Sequence, residues 1–125
     1  MSIGAAVDIT SPDAGKIVAA ASLRAHERGE QCFVISILRS LTGDRSDEEA
    51  EIAARNLGLI ASRNAAPIVH EADDVARGIV AAAKSFGVDV LFVGSPRRRT
   101  ILRSVPEKLL QLAPPFEVVV VAAMT

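Results

Sequence analysis

Tryptophan and tyrosine are missing from this 125-residue chain, and its only aromatic side chains are 4 phenylalanines. A platform on which exposed bases stack has nothing to be built from. An excess of one charge is missing too. The 14 Lys and Arg against 15 Asp and Glu leave a net charge of −1, so no global field draws in nucleic acid or an anionic membrane. Any anion site must therefore be local. With only 1 cysteine, Cys32, the chain has no internal disulfide; lying in an apolar run, Cys32 reads as a small core residue. No apolar run approaches the ~20 residues needed to span a bilayer; the longest, Val118 to Met124, is strand-sized. Met1 to Ala6 lacks the basic start and long apolar stretch of a signal peptide. These absences point to a cytoplasmic chain, or to a soluble part of something larger.

Half of the residues are hydrophobic and 23% are charged, a globular rather than a disordered composition. The length suits a single domain over residues 1–125. Ile3 to Ile9 reads as a first strand with Asp8 near its end. Thr10 then caps a helix with Pro12 in its first turn, and Gly29 closes it. Its inner face, Ala14, Ile17/Val18, Ala21 and Ala25, is mostly alanine and can sit close to a sheet. Cys32 to Leu38 is the second strand. Ser46-Asp47-Glu48-Glu49 is a capping box for a helix running to about Arg63. Ala66 to His70 is a third strand. Asp73 or Asp74 caps the next helix, with Val75, Ile79, Ala82/Ala83 and Phe86 on one face and Gly87 at its close. Val88 to Val93 is an apolar fourth strand, Val105 to about Ala113 a short helix stopped by Pro114-Pro115, and Phe116 to Ala123 a fifth strand. This β-α-β-α-β-α-β-α-β order demands a parallel sheet with helices on both faces, and ligands of such sheets bind beyond the carboxyl ends of the strands.

The stretch after the fourth strand holds the densest chemistry. Gly94-Ser95-Pro96 turns the chain, Arg97, Arg98, Arg99 and Arg103 follow, and Ser104 to Glu107 spell a capping box. A glycine after a buried strand, guanidinium groups and a helix start suit an anion, phosphate above all; a solvated basic loop is the plain alternative. No catalytic constellation emerges. His26 and His70 lack further ligands at metal spacing, and Ser36 and Ser95 lack a His–acid pair. An ATP-hydrolysing enzyme would need a water-activating base, and none can be named.

Several segments, in order, resemble the universal stress protein family: Ala6-Val7-Asp8-Ile9-Thr10 with the alanine-rich helix, Val34-Ile35-Ser36-Ile37, Val88 to Ser95, Ser104-Val105, and Phe116 to Val121. The resemblance spans essentially the whole chain. It implies a Rossmann-like α/β fold of the adenine nucleotide alpha hydrolase type, with strand order 3-2-1-4-5 and a switch point between the strands ending at Asp8 and Gly94. It also implies a small regulatory protein rather than an enzyme, with ATP or AMP as ligand and no metal. Asp8, Ile37, Gly94, Ser95, Arg97, Arg103, Ser104 and Val105 would surround the ligand. A homodimer through the fifth strand, Phe116 to Val121, is implied as well. In the family's nucleotide-binding members the loop after the fourth strand reads G-x2-G-x9-G-S/T. Here Gly94 and Ser104 remain, but Arg97 and Arg103 replace the other glycines, and five residues, Arg98 to Leu102, separate them. Side chains there bar close backbone approach, although arginines can supply charge-assisted bonds to phosphate instead. A module of the same fold that binds no nucleotide, such as a cytosolic sensory domain of a transporter or kinase, is the other reading.

Overall fold

The computed structural model describes residues 2–7, 14–39, 55, 65–94, 105–112 and 114–121. The elements in chain order are β1 (Ser2–Ala6), α1 (Ala14–Arg28), β2 (Gln31–Arg39), β3 (Ala65–Ala72), α2 (Val75–Ser85), β4 (Val88–Gly94), α3 (Val105–Gln111) and β5 (Glu117–Val121). All five strands are parallel neighbours in the order β3-β2-β1-β4-β5. Of the helix expected from Ser46 to about Arg63, only Arg55 falls among the described residues, and it is helical.

Alternating residues divide the core between the two faces of the sheet. Ile3, Ala5 and Val7 of the first strand segment, Cys32 and Val34 of β2, and Val90 and Phe92 of β4 meet α1 through Ala14, Ile17, Val18, Ala21 and Ala25. On the other face Ala6, Ile35, Leu91 and Val93 meet Ala76, Ile79, Ala82 and Ala83 of α2 and Leu109 of α3. The alanine side of α1 lets the helix lie low on the sheet, and the Arg24 guanidinium then reaches over the Phe92 ring, 5.6 Å from its centroid.

Helix ends follow their sequence signals. The Asp74 carboxylate accepts from the Arg77 N–H at 3.2 Å, capping α2. Gly29 and Gly87 both adopt φ 65°, the left-handed conformation that ends a helix at little cost to glycine. Behind Gly29 the Glu30 N–H donates to the Ala25 carbonyl at 2.9 Å, the outer bond of a Schellman motif.

Some boundaries differ from the expected ones. The first strand covers Ser2–Ala6, and Asp8 and Ile9 of the expected strand lie outside the described residues; the Val7 N–H donates to the Ile35 carbonyl at 2.9 Å. The β5 ladder covers Glu117–Val121, where β4 supplies partners from Val90 to Gly94. Phe86 does not continue the buried face of α2: it is the C-cap residue and 44% exposed. Its ring instead meets Phe33 at 5.0 Å between centroids, and its carbonyl accepts from the Ser2 hydroxyl at 3.0 Å.

Candidate functional site at the carboxyl edge of β1 and β4

The chain leaves β1 toward β2 on one side and reaches β4 only after β3, so the strand order reverses between β1 and β4. At such a reversal the flanking connections diverge to opposite faces and leave a crevice above the strand ends. Ala6 pairs with Ile35 of β2 and with Val93 of β4, which puts Val7, Ser36 and Gly94 at one level across three adjacent strands. There the described residues of β1 and β4 end. β2 runs on to Arg39, paired with β3 as far as Ala72. Residues 37–39 of β2 and 70–72 of β3 thus lie beyond the last described level of β1 and β4.

The Ile35 carbonyl turns toward β1, where it accepts from Val7. Main-chain groups point to alternate sides along a strand, so the N–H and C=O of Ile37 turn the same way, past the last described residue of β1. One donor and one acceptor side by side match the edge of a planar, polar heterocycle. The Ile37 side chain, half-buried, joins the α2 side of the core.

Gly94 closes β4 on the α1 side. A Cβ placed on it would stand 2.8 Å from Ile17 Cδ1, so a side chain here requires that end of Ile17 to shift. Ile17 is a site-shaping residue that helical periodicity places on the core face without revealing this contact. Ser36, only 5% exposed, is the polar residue of the same level. The apolar residues near this level belong to the two core clusters, Val7 and Ile17 on the α1 face and Ile37 and Val93 on the α2 face.

Of the residues expected to surround a ligand, Ile37 and Gly94 lie on one edge as anticipated, and Val105 begins α3. Asp8, Ser95, Arg97, Arg103 and Ser104 lie outside the described residues. Among the described residues no group of His, Cys, Asp and Glu is placed to hold a metal ion. Nor is any described helix long and apolar enough to cross a membrane.

The fold is similar to that of a universal stress protein family member from Burkholderia pseudomallei, at 25% identity and TM-score 0.76, covering 98% of this chain and 96% of that one. It is also similar to the universal stress protein from Archaeoglobus fulgidus in complex with dAMP, at 22% identity and TM-score 0.68, covering 96% of each chain. A universal stress protein in complex with cAMP matches at 14% identity and TM-score 0.74, again over 96% of each chain. No match was found among curated proteins. The family model for universal stress proteins matches residues 1–122, and the chain belongs to that family.

Proposed function

We propose that this protein is a small regulatory protein, not an enzyme, that binds an adenine nucleotide at the carboxyl edge between β1 and β4. The observation that carries the reading is the reversal of strand order between β1 and β4, with Ile37 and Gly94 at the carboxyl edge of the sheet. Family membership supports it, and so do similar structures described in complex with cAMP and with dAMP. Arg97 and Arg103 would take the phosphate by charge-assisted bonds where other members use glycine N–H groups. Asp8 would meet the base or ribose, and Ser95, Ser104 and Val105 would line the phosphate end. ATP and AMP are the nucleotides proposed. A cytoplasmic setting suits the free, buried Cys32.

Thermal denaturation with and without ATP, AMP, cAMP or sulfate tests this. A ligand at a hundredfold excess over its dissociation constant should stabilise the fold by about 2.7 kcal/mol. Replacing both Arg97 and Arg103 with Ala should remove that shift. If millimolar nucleotide leaves the wild-type transition in place, the protein is an interaction module of the same fold, with a solvated basic loop.

A further inference from the structure

The outer strands of the sheet are β3 and β5, and β3 is the longer, 8 residues against 5. The pairing of β2 fixes which main-chain groups of β3 face inward. The Ile35 carbonyl accepts from the Val7 N–H on the β1 side. Main-chain groups of successive strand residues alternate sides, so Val34 and Ser36 turn theirs toward β3. In a parallel ladder such a residue bonds to the two neighbours of the residue opposite it. Val34 stands opposite Pro67 and Ser36 opposite Val69, so the main chains of Ala66, Ile68 and His70 face β2. Those of Pro67, Val69 and Glu71 turn outward, where no described strand pairs with them. Pro67 is exposed, and its ring nitrogen carries no hydrogen. The rest of the strand, alanine, isoleucine and valine with His70 and one carboxylate, Glu71, is the kind of edge on which a second strand assembles.

We propose that Pro67 closes the β3 edge to other copies of the chain, so that association through the sheet is confined to β5. A strand pairing with β3 needs the outward donors at positions 67, 69 and 71. Proline removes the first of them, and its ring stands where the hydrogen would meet an acceptor carbonyl. Within the chain the same substitution of ring for hydrogen does no harm, because the β2 ladder takes no donor from position 67. The consequence is one of symmetry. A subunit that pairs through two different edges extends into an open polymer, whereas one that pairs through a single edge closes as a two-fold dimer. This role is independent of what binds between β1 and β4.

Sedimentation velocity of the full chain, from low to high micromolar concentration, tests it in two backgrounds. One is the wild type; the other is Val120→Lys, which charges the exposed part of β5. Pro67→Val restores the missing donor with a side chain suited to a strand. In each background it should give a species of at least twice its parent's mass, growing with concentration. Hydrogen exchange at the Val69 and Glu71 amides should slow about tenfold or more in the assembled form, relative to the same variant diluted to its smallest species. Should Pro67→Val lack the circular dichroism spectrum of the wild type, Pro67→Ala carries the same comparison. A variant that sediments like its parent in either background overturns the role of Pro67. So does assembly that leaves exchange at Val69 and Glu71 unchanged, since the new contact then lies elsewhere.

Discussion

Ile17 Cδ1 fills the position that a side chain on Gly94 would require, 2.8 Å from where its Cβ would stand. Carbon atoms not bonded to one another settle at about 3.5–4.0 Å, so a larger residue at the end of β4 requires the Ile17 side chain to give way. The contact fixes how low the first turns of α1 sit over the switch point. It joins the helix that leaves β1 to the strand that ends beside it, the two elements that bound the crevice.

Gly94→Ala should accordingly destabilise the fold by about 1–3 kcal/mol, the usual cost of overpacking. Ile17 is 4% exposed and has little room to turn away. Ile17→Val removes Cδ1 and alone should cost about 0.5–1.5 kcal/mol. In urea denaturation the double variant should be more stable than the sum of the two single losses predicts, because the second change creates room for the first. Strict additivity would mean that the two side chains do not meet.

The sequence carried these elements unevenly. Gly29 and Gly87 announced the ends of α1 and α2 because a left-handed residue after a helix is a local requirement, met by the residue itself. Asp74 announced the start of α2 for the same reason. Phe86 misled: its spacing fits the buried face of α2, but the chain turns at the next residue and carries the ring to Phe33. The parallel sheet followed from the alternation of strand and helix, whereas the order β3-β2-β1-β4-β5 came only from family resemblance. Local periodicity does not say which strand pairs with which. Gly94 and Ile37 could be placed at the carboxyl edge of the sheet from the sequence, yet their partners Ile17 and Gly78 could not. Those contacts are long-range, and a buried glycine in a helix gives no local sign of what it touches.

Cys32 should be chemically silent in the folded protein. It is 0% exposed, and burial pushes its thiol above the ordinary range, with the Ser22 hydroxyl 4.0 Å away opposing that shift. An exposed thiol ionises near about pH 8.5. Above that pH the unfolded chain loses a proton that the folded chain keeps, so Cys32 withdraws stability as pH rises and leaves it unaffected below. A thiol reagent at pH 8 should react at the rate of global unfolding, speeding up as urea is added. Rapid labelling in native buffer would place Cys32 outside the core.

The last expectation concerns the partner, for which we propose a second copy of the chain docked along β5. Among the described strands β5 pairs only with β4, so its other edge turns a row of N–H and C=O groups away from the sheet. Such an edge invites another strand unless it is charged, broken by proline or covered. Glu117 is its single charge, Val118, Val119 and Val121 are half-buried, and Val120 is 47% exposed. Leu110 of the adjacent helix α3 and Leu112 just past its end are exposed as well. The opposite edge is protected differently: β3 carries Pro67, exposed, which lacks the N–H that a neighbouring strand would use. The two edges are thus unequal, and β5 is the one suited to pairing. Antiparallel contact across a two-fold axis would satisfy the edge groups of both copies and bury their valines together. Sedimentation at high micromolar concentration should give a dimer. Val120→Lys, which puts a charge on the exposed part of the strand without touching the buried face toward α1, should give a monomer with an unchanged circular dichroism spectrum. A wild-type protein that sediments as a monomer under those conditions rules the β5 interface out.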